Sequence, residues 1–411
     1  MPLTMPPAAM QLNLPFNMGP LVLPPLTHRN LALGAAAATT LSISLGLALR
    51  STSQKRRTKK PYIPSPLKSL PEDTSEIPYP PDMLPGGRDV NTPYGHIRVF
   101  EWGPESGTKV LLLHGLSTPC IALAGLASEL VHQGYRVMLF DFFGRGYSDA
   151  PDDVKYDARL YTSQILLVLA SSPLAWTGDD AFNLIGYSLG GGVAVSFARY
   201  FPRMVRSLNL VASGGLIRRG HVSLQSRVLY STGLFPEWVL ERLVRRRLSP
   251  RDVDGEEEMA LEVKPREDSD ATGGESFDQA VLKVGKRKVK VGDVLGWQLR
   301  EHRGFVKAFM SSIRYAPIYE QREDWEELGR LLAERREEGG EALPGLKGGR
   351  VQFVLGKNDP VIVKEELLHD AEAFLGEDGV DAMWLDCGHE IAMTKGVGVA
   401  KMAMGFWEGD W

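Results

Sequence analysis

The sequence predicts an α/β fold, with a mainly parallel central sheet and a helical cap inserted between two of its strands. Three observations carry that expectation. From Asn91 onward, short apolar strands alternate with helical stretches. Several of those strands are apolar without interruption, as strands buried on both faces are. Between roughly Ile217 and Leu346 the alternation breaks and helical, charged segments take over.

The first 71 residues differ in kind from the rest: the first acidic residue is Glu72. Within them Leu31 to Leu49 (LALGAAAATTLSISLGLAL) is uncharged and just long enough to span a bilayer as a helix. Arg50, Lys55, Arg56, Arg57, Lys59 and Lys60 follow it. A single-pass anchor with the C-terminal bulk in the cytosol is the first reading, because basic flanks are retained inside. An organelle-targeting segment, mitochondrial for example, is the second, since the stretch lacks acids and is rich in hydroxyls. A cleaved secretory signal fits less well, because its charge would precede the apolar run. Pro61 to Pro85 is proline-rich and predicts an extended linker with no packed core.

His96 to Trp102 alternates like an early strand, and Lys109 to Leu113 (KVLLL) is a buried one. Tyr135–Phe140, Ala181–Ile185, Val205–Val211, Val351–Leu355 and Val380–Leu385 complete the series. In the interruption, Ser223 to Leu248 predicts an amphipathic helix with Leu224, Val228, Leu229, Trp238 and Leu243 as its apolar positions. Arg242 and Arg245 to Arg247 form either a solvated face or a lipid contact, the solvated face being the default. The stretch 251–293 is charged, glycine-rich and poor in aromatics, which predicts a mobile insertion. Gly304 to Arg336 returns to helix. The chain thus divides into residues 1–60 with a candidate span at 31–49, a linker at 61–90, a core from 91–216 and 347–411, and a cap at 217–346.

Composition excludes some functions. With 411 residues and a net charge of −4, there is no basic excess to meet nucleic acid. Two cysteines, Cys120 and Cys387, make neither a disulfide framework nor a metal cluster.

The chemistry points to NLIGYSLGGG, residues 183–192, where Ser188 sits at a strand-to-helix switch with glycine two positions before and after it. A nucleophilic serine on a strained turn needs those glycines so that strand and helix can approach. One such pentapeptide decides little in a chain with 43 glycines. A serine also needs a base, and the base an orienting acid. His389, in LDCGHE, follows the last predicted strand. Asp359, in VLGKNDPVI, lies in a turn after the strand before it; Asp386 is the rival acid, three residues from the histidine. A tetrahedral intermediate needs backbone donors, and the N–H groups of Leu189 and of Leu116, in the loop HGLST, are placed to supply them. His114 shapes that loop and is not the base.

With LLLHG at 111–115, DFFGRGYSD at 141–149, GYSLGGG at 186–192, GKNDPV at 356–361 and CGHE at 387–390, the region from Asn91 onward resembles the α/β-hydrolase superfamily. It looks most similar to the monoacylglycerol-lipase-like, haloperoxidase-like and carbon–carbon-hydrolase-like branches with a helical cap. The order Ser188, Asp359, His389 is the family's. Its Asp-nucleophile branches do not fit, because Ser188 stands in that place. Within DFFGRGYSD, Asp141 and Arg145 read as structural. The resemblance implies a cofactor-independent, metal-free serine hydrolase of carboxylic esters, lipid acyl esters among them. Carbon–carbon-bond hydrolysis or acyl transfer on the same triad, and a non-catalytic binding protein on this fold, are the alternatives.

Overall fold

The structure is a computed structural model that describes residues 61–249 and 275–409. The candidate span at 31–49 and its basic flank lie outside the described residues. Among the described residues no helix is long and apolar enough to cross a membrane.

Twelve strands are described: β1 (Tyr62–Ile63), β2 (Gly87–Thr92), β3 (Gly95–Trp102), β4 (Lys109–Leu113), β5 (Arg136–Phe140), β6 (Ala150–Pro151), β7 (Phe182–Tyr187), β8 (Val205–Val211), β9 (Val281–Val284), β10 (Arg287–Lys290), β11 (Val351–Gly356) and β12 (Val380–Leu385). Eight form the central sheet in the order β12-β11-β8-β7-β4-β5-β3-β2. Every pair from β12 to β5 is parallel, and β3 and β2 close one edge antiparallel. The inner strands are those with continuous apolar runs; Val110 to Leu113 and the whole of β7 are buried. Helices Ala124–His132, Ala158–Ala170, Leu189–Tyr200 and Gly396–Glu408 bury apolar faces around this sheet.

Three expectations are corrected. The proline-rich stretch is not a free linker. Its β1 pairs antiparallel with β6, and Tyr79 is fully buried, its hydroxyl donating to Asp141 at 3.2 Å. Proline makes this packing inexpensive, since a chain already held extended loses less freedom on being pinned. Second, the cap is not all helical. Of the stretch 251–293 expected to be mobile, residues 251–274 lie outside the described residues, and past them a hairpin of β9 and β10 turns at Gly285 (φ 57°). It is held by Phe277, Ala280, Leu282 and Val291, all buried. Third, the single helix expected over 223–248 is two, Leu224–Leu229 and Glu237–Leu248. Pro236 stands at the break, where a helix-interior proline would lose a hydrogen bond and clash with the preceding turn. Of the five apolar positions named there, only Leu229 is buried. Leu224, Val228, Trp238 and Leu243 face outward, and the inward stripe is Leu240, Val244 and Leu248.

The cap leaves the sheet after β8 and returns at β11, its neighbour in the sheet. Helix Phe305–Tyr315 brings the cap to the C-terminal ends of the parallel strands, where Ile313 lies beside Ser188, the edge at which open α/β sheets build their sites. Helix Arg322–Arg336 instead packs on the sheet's face, Trp325 stacking on Phe353 and Asp324 accepting from Ser196 of helix Leu189–Tyr200 at 2.5 Å.

Candidate active site

Ser188 follows β7 directly and precedes helix Leu189–Tyr200, with φ 54° and ψ −119°. Few side chains tolerate that backbone, and the surroundings enforce it. A Cβ at Gly186 would sit 2.4 Å from the Gly190 carbonyl oxygen, and one at Gly190 would sit 2.3 Å from that of Leu113. Glycine at both positions is therefore a steric requirement of the turn.

Ser188 Oγ lies 3.0 Å from His389 Nε2, and His389 Nδ1 lies 2.9 Å from Asp359 Oδ2. The three residues come from loops after β7, β11 and β12. The second Asp359 oxygen accepts the backbone N–H groups of Val361 and Ile362 at 2.8 and 2.9 Å, which fixes the carboxylate's orientation. Burial pushes this carboxyl up, but the neighbouring His389 and the two N–H donors outweigh it and hold it below its ordinary value. Asp386, the rival, accepts from Asn358 Nδ2 at 3.1 Å in an exposed position, and it is Asp359 that His389 meets.

The two expected oxyanion donors are aimed through their peptide planes. A planar trans peptide places C=O and N–H on opposite sides, so fixing one aims the other. His114 Nε2 accepts from the Phe142 N–H at 2.8 Å, so the ring proton sits on Nδ1 and is donated to the Gly115 carbonyl at 2.8 Å. That carbonyl shares a peptide with the Leu116 N–H. Burial pushes the His114 imidazole down to about 3, so it stays neutral in this role. The Ser188 carbonyl, which shares a peptide with the Leu189 N–H, accepts from Gly191 and Gly214, each at 2.9 Å. Leu116 and Leu189 both line a small cavity of about 40 Å³ beside Ser188 and His389.

Several contributors are invisible to sequence reasoning. Phe277 stacks on His389, ring centroids 6.1 Å apart, and forms part of the cavity wall. Tyr187 donates from its hydroxyl to the His389 carbonyl at 2.7 Å, steadying that loop. Arg145, read as structural, binds the Leu116 carbonyl through Nε at 3.0 Å and Ser312 Oγ of the cap through Nη2 at 2.8 Å. It therefore ties the loop carrying Leu116 to the cap. Asp141 accepts the N–H groups of Cys120 and Tyr147 at 2.9 Å, as its structural reading requires. No cluster of side chains among the described residues is arranged to hold a metal ion.

A family model described as the alpha/beta hydrolase fold matches residues 108–395. Among curated proteins, a serine hydrolase-like protein of Danio rerio is 33% identical over 126 residues, covering 30% of this chain and 37% of that protein. A human serine hydrolase-like protein is 34% identical over 120 residues, covering 29% and 56%. The match thus spans less than two thirds of either relative. Among solved structures, a membrane phospholipase A described as a bacterial virulence factor superposes with a TM-score of 0.52 at 15% identity, covering 92% of this chain and 96% of that one. Carboxylesterase CesB of Bacillus subtilis superposes with a TM-score of 0.50 at 15% identity, covering 79% and 92%. At these identities the superpositions speak for the fold alone.

Proposed function

Since the chain belongs to the alpha/beta hydrolase fold family, we propose that it is a serine hydrolase cleaving a carboxylic ester, with Ser188 as nucleophile, His389 as base and Asp359 as orienting acid. The observation that carries this reading is the continuous chain of contacts from Ser188 Oγ through His389 to Asp359, at 3.0 and 2.9 Å. Ser188 Oγ attacks the ester carbonyl carbon as His389 Nε2 takes its proton. The Leu116 and Leu189 N–H groups receive the oxyanion. The Asp359 carboxylate holds the proton on Nδ1 and stabilises the imidazolium without taking that proton. Collapse of the intermediate expels the alcohol, which takes the proton from His389, and leaves an acyl-enzyme. A water activated by the same histidine then hydrolyses it.

The apolar wall supplied by Leu116, Phe277, Ile313 and Val361 suits a hydrocarbon portion of the ester. The test is labelling with a fluorophosphonate probe, together with turnover of a short-chain ester, in wild type and Ser188→Ala. Wild type should label and the variant should not, with turnover lowered at least 10³-fold. Equal labelling of the two proteins would overturn the assignment.

A further inference from the structure

The cap presents one outward face where apolar and basic residues are interleaved. Leu234 and Phe235 stand exposed just before Pro236, and Trp238 is 68% exposed. Along helix Glu237–Leu248, Trp238, Arg242 and Arg246 follow one another at four-residue spacing, opposite the buried stripe of Leu240, Val244 and Leu248. All three are exposed, with Leu243 exposed at the edge of the stripe. Of the helix's two acids, Glu237 is engaged by Arg314 and Glu241 is half-buried, so the outward stripe is positive.

We propose that this face docks on a bilayer surface containing anionic lipid. Tryptophan and phenylalanine prefer the boundary between headgroups and acyl chains, and arginine can keep its guanidinium among lipid phosphates while its stem lies along apolar surface. Charge decides between occupants. A second copy docked about a twofold axis would bring the arginine stripe against itself, whereas an anionic leaflet complements it. The face is also tied to the reactive cavity. Arg314, on helix Phe305–Tyr315, donates to the carbonyls of Tyr230 and Ser231 at 3.0 and 2.9 Å. Its neighbour Ile313 lines the cavity. Docking would therefore load the helix that borders the site.

The proposal does not depend on the hydrolase chemistry, and its test does not read turnover. The full chain is mixed with phosphatidylcholine vesicles carrying brominated acyl chains, with and without about one third phosphatidylserine. Tryptophan quenching is compared in wild type and Trp238→Phe, so the difference belongs to Trp238 alone and attachment elsewhere in the chain does not produce it. Quenching should occur on the anionic vesicles and be lost in Trp238→Phe. Each arginine near an anionic leaflet is worth about fivefold in affinity, so the double variant Arg242→Gln/Arg246→Gln should need about 25-fold more lipid for the same Trp238 signal. Equal quenching in wild type and Trp238→Phe would overturn the proposal. So would a signal indifferent to phosphatidylserine, or a dimer in solution that Trp238→Ser dissociates.

Discussion

Replacing Asp359 by asparagine tests the orienting role at the level of a single proton. The carboxylate accepts on both sides, from His389 on one and from the Val361 and Ile362 N–H groups on the other. An amide must choose. If its oxygen keeps the two backbone donors, its NH₂ faces His389 Nδ1 and forces that nitrogen to accept. The ring proton then sits on Nε2, pointing at Ser188, and the histidine can no longer take the serine's proton. The reverse orientation would leave two buried N–H groups without acceptors, at about 1–3 kcal/mol each, so the first prevails and the protein stays folded. Loss of the correct tautomer costs about 10⁴ in kcat in triads of this kind, or about 5 kcal/mol of barrier. Asp386 touches only Asn358 in this network, so Asp386→Asn should stay within about twofold of wild type. The assay is kcat/KM on p-nitrophenyl acetate and the rate of fluorophosphonate labelling, with melting temperatures alongside. A larger loss in Asp386→Asn than in Asp359→Asn, with both folded, would refute the reasoning.

Two further predictions concern the scaffold. Tyr79→Phe removes a hydroxyl that donates to the buried Asp141 carboxylate; chemical denaturation should show a loss of about 1–3 kcal/mol, and an unchanged midpoint would mean that this hydrogen bond contributes nothing to stability. Burial pushes the His302 imidazole down to about 4, where Nε2 donates to the Ser148 carbonyl at 2.9 Å. Between the unfolded value near 6.5 and about 4 the unfolded chain binds the extra proton, so stability falls as pH drops through that window, by on the order of 2 kcal/mol at pH 5. His302→Gln should therefore lose less stability than wild type between pH 7 and pH 5, and an equal loss in both would count against the assignment.

What is legible in the sequence follows from the range of the forces involved. The glycines around Ser188 can be read directly because the strand-to-helix turn is a local pattern. One clash they avoid, Gly186 against Gly190, lies within that turn, whereas the other, Gly190 against Leu113, is with the neighbouring strand and is not visible in the sequence. Strands β4 and β7 declare themselves because both faces are buried and their residues are almost all apolar, Lys109 and Asn183 being the exceptions. Strand β2 (GRDVNT) does not, because it is an edge strand whose alternate residues meet water. Tyr79 is hidden for another reason: proline content predicts extension, which is what the stretch adopts, but extension is silent on whether a partner 62 residues away will hold it. Phe277 is the hardest case. It stands alone among Glu, Ser and Asp, with no periodicity to report its burial, and only the folded chain brings its ring onto His389.

The position of the cap in the sheet has a consequence for how such a molecule can change. Its first residues leave β8 and its last residues feed β11, and these strands lie side by side, with Leu208 opposite Val351 and Val211 opposite Val354. In a parallel pair the end of one strand and the start of the next lie at opposite ends, and helix Arg322–Arg336 makes that crossing. The cap itself is pinned at its roots, where Gly215 donates to the Ile318 carbonyl at 2.7 Å and accepts from the Gln321 N–H at 2.8 Å, whatever is threaded between them. Loop-closure entropy rises only slowly with length. Residues can thus be gained, lost or exchanged between the roots without disturbing the register that sets Ser188 against His389. Innovation in what the protein accepts is thereby set apart, by architecture, from the strand register beneath the reacting groups, with Phe277 and Ser312 as the cap residues that reach across to them.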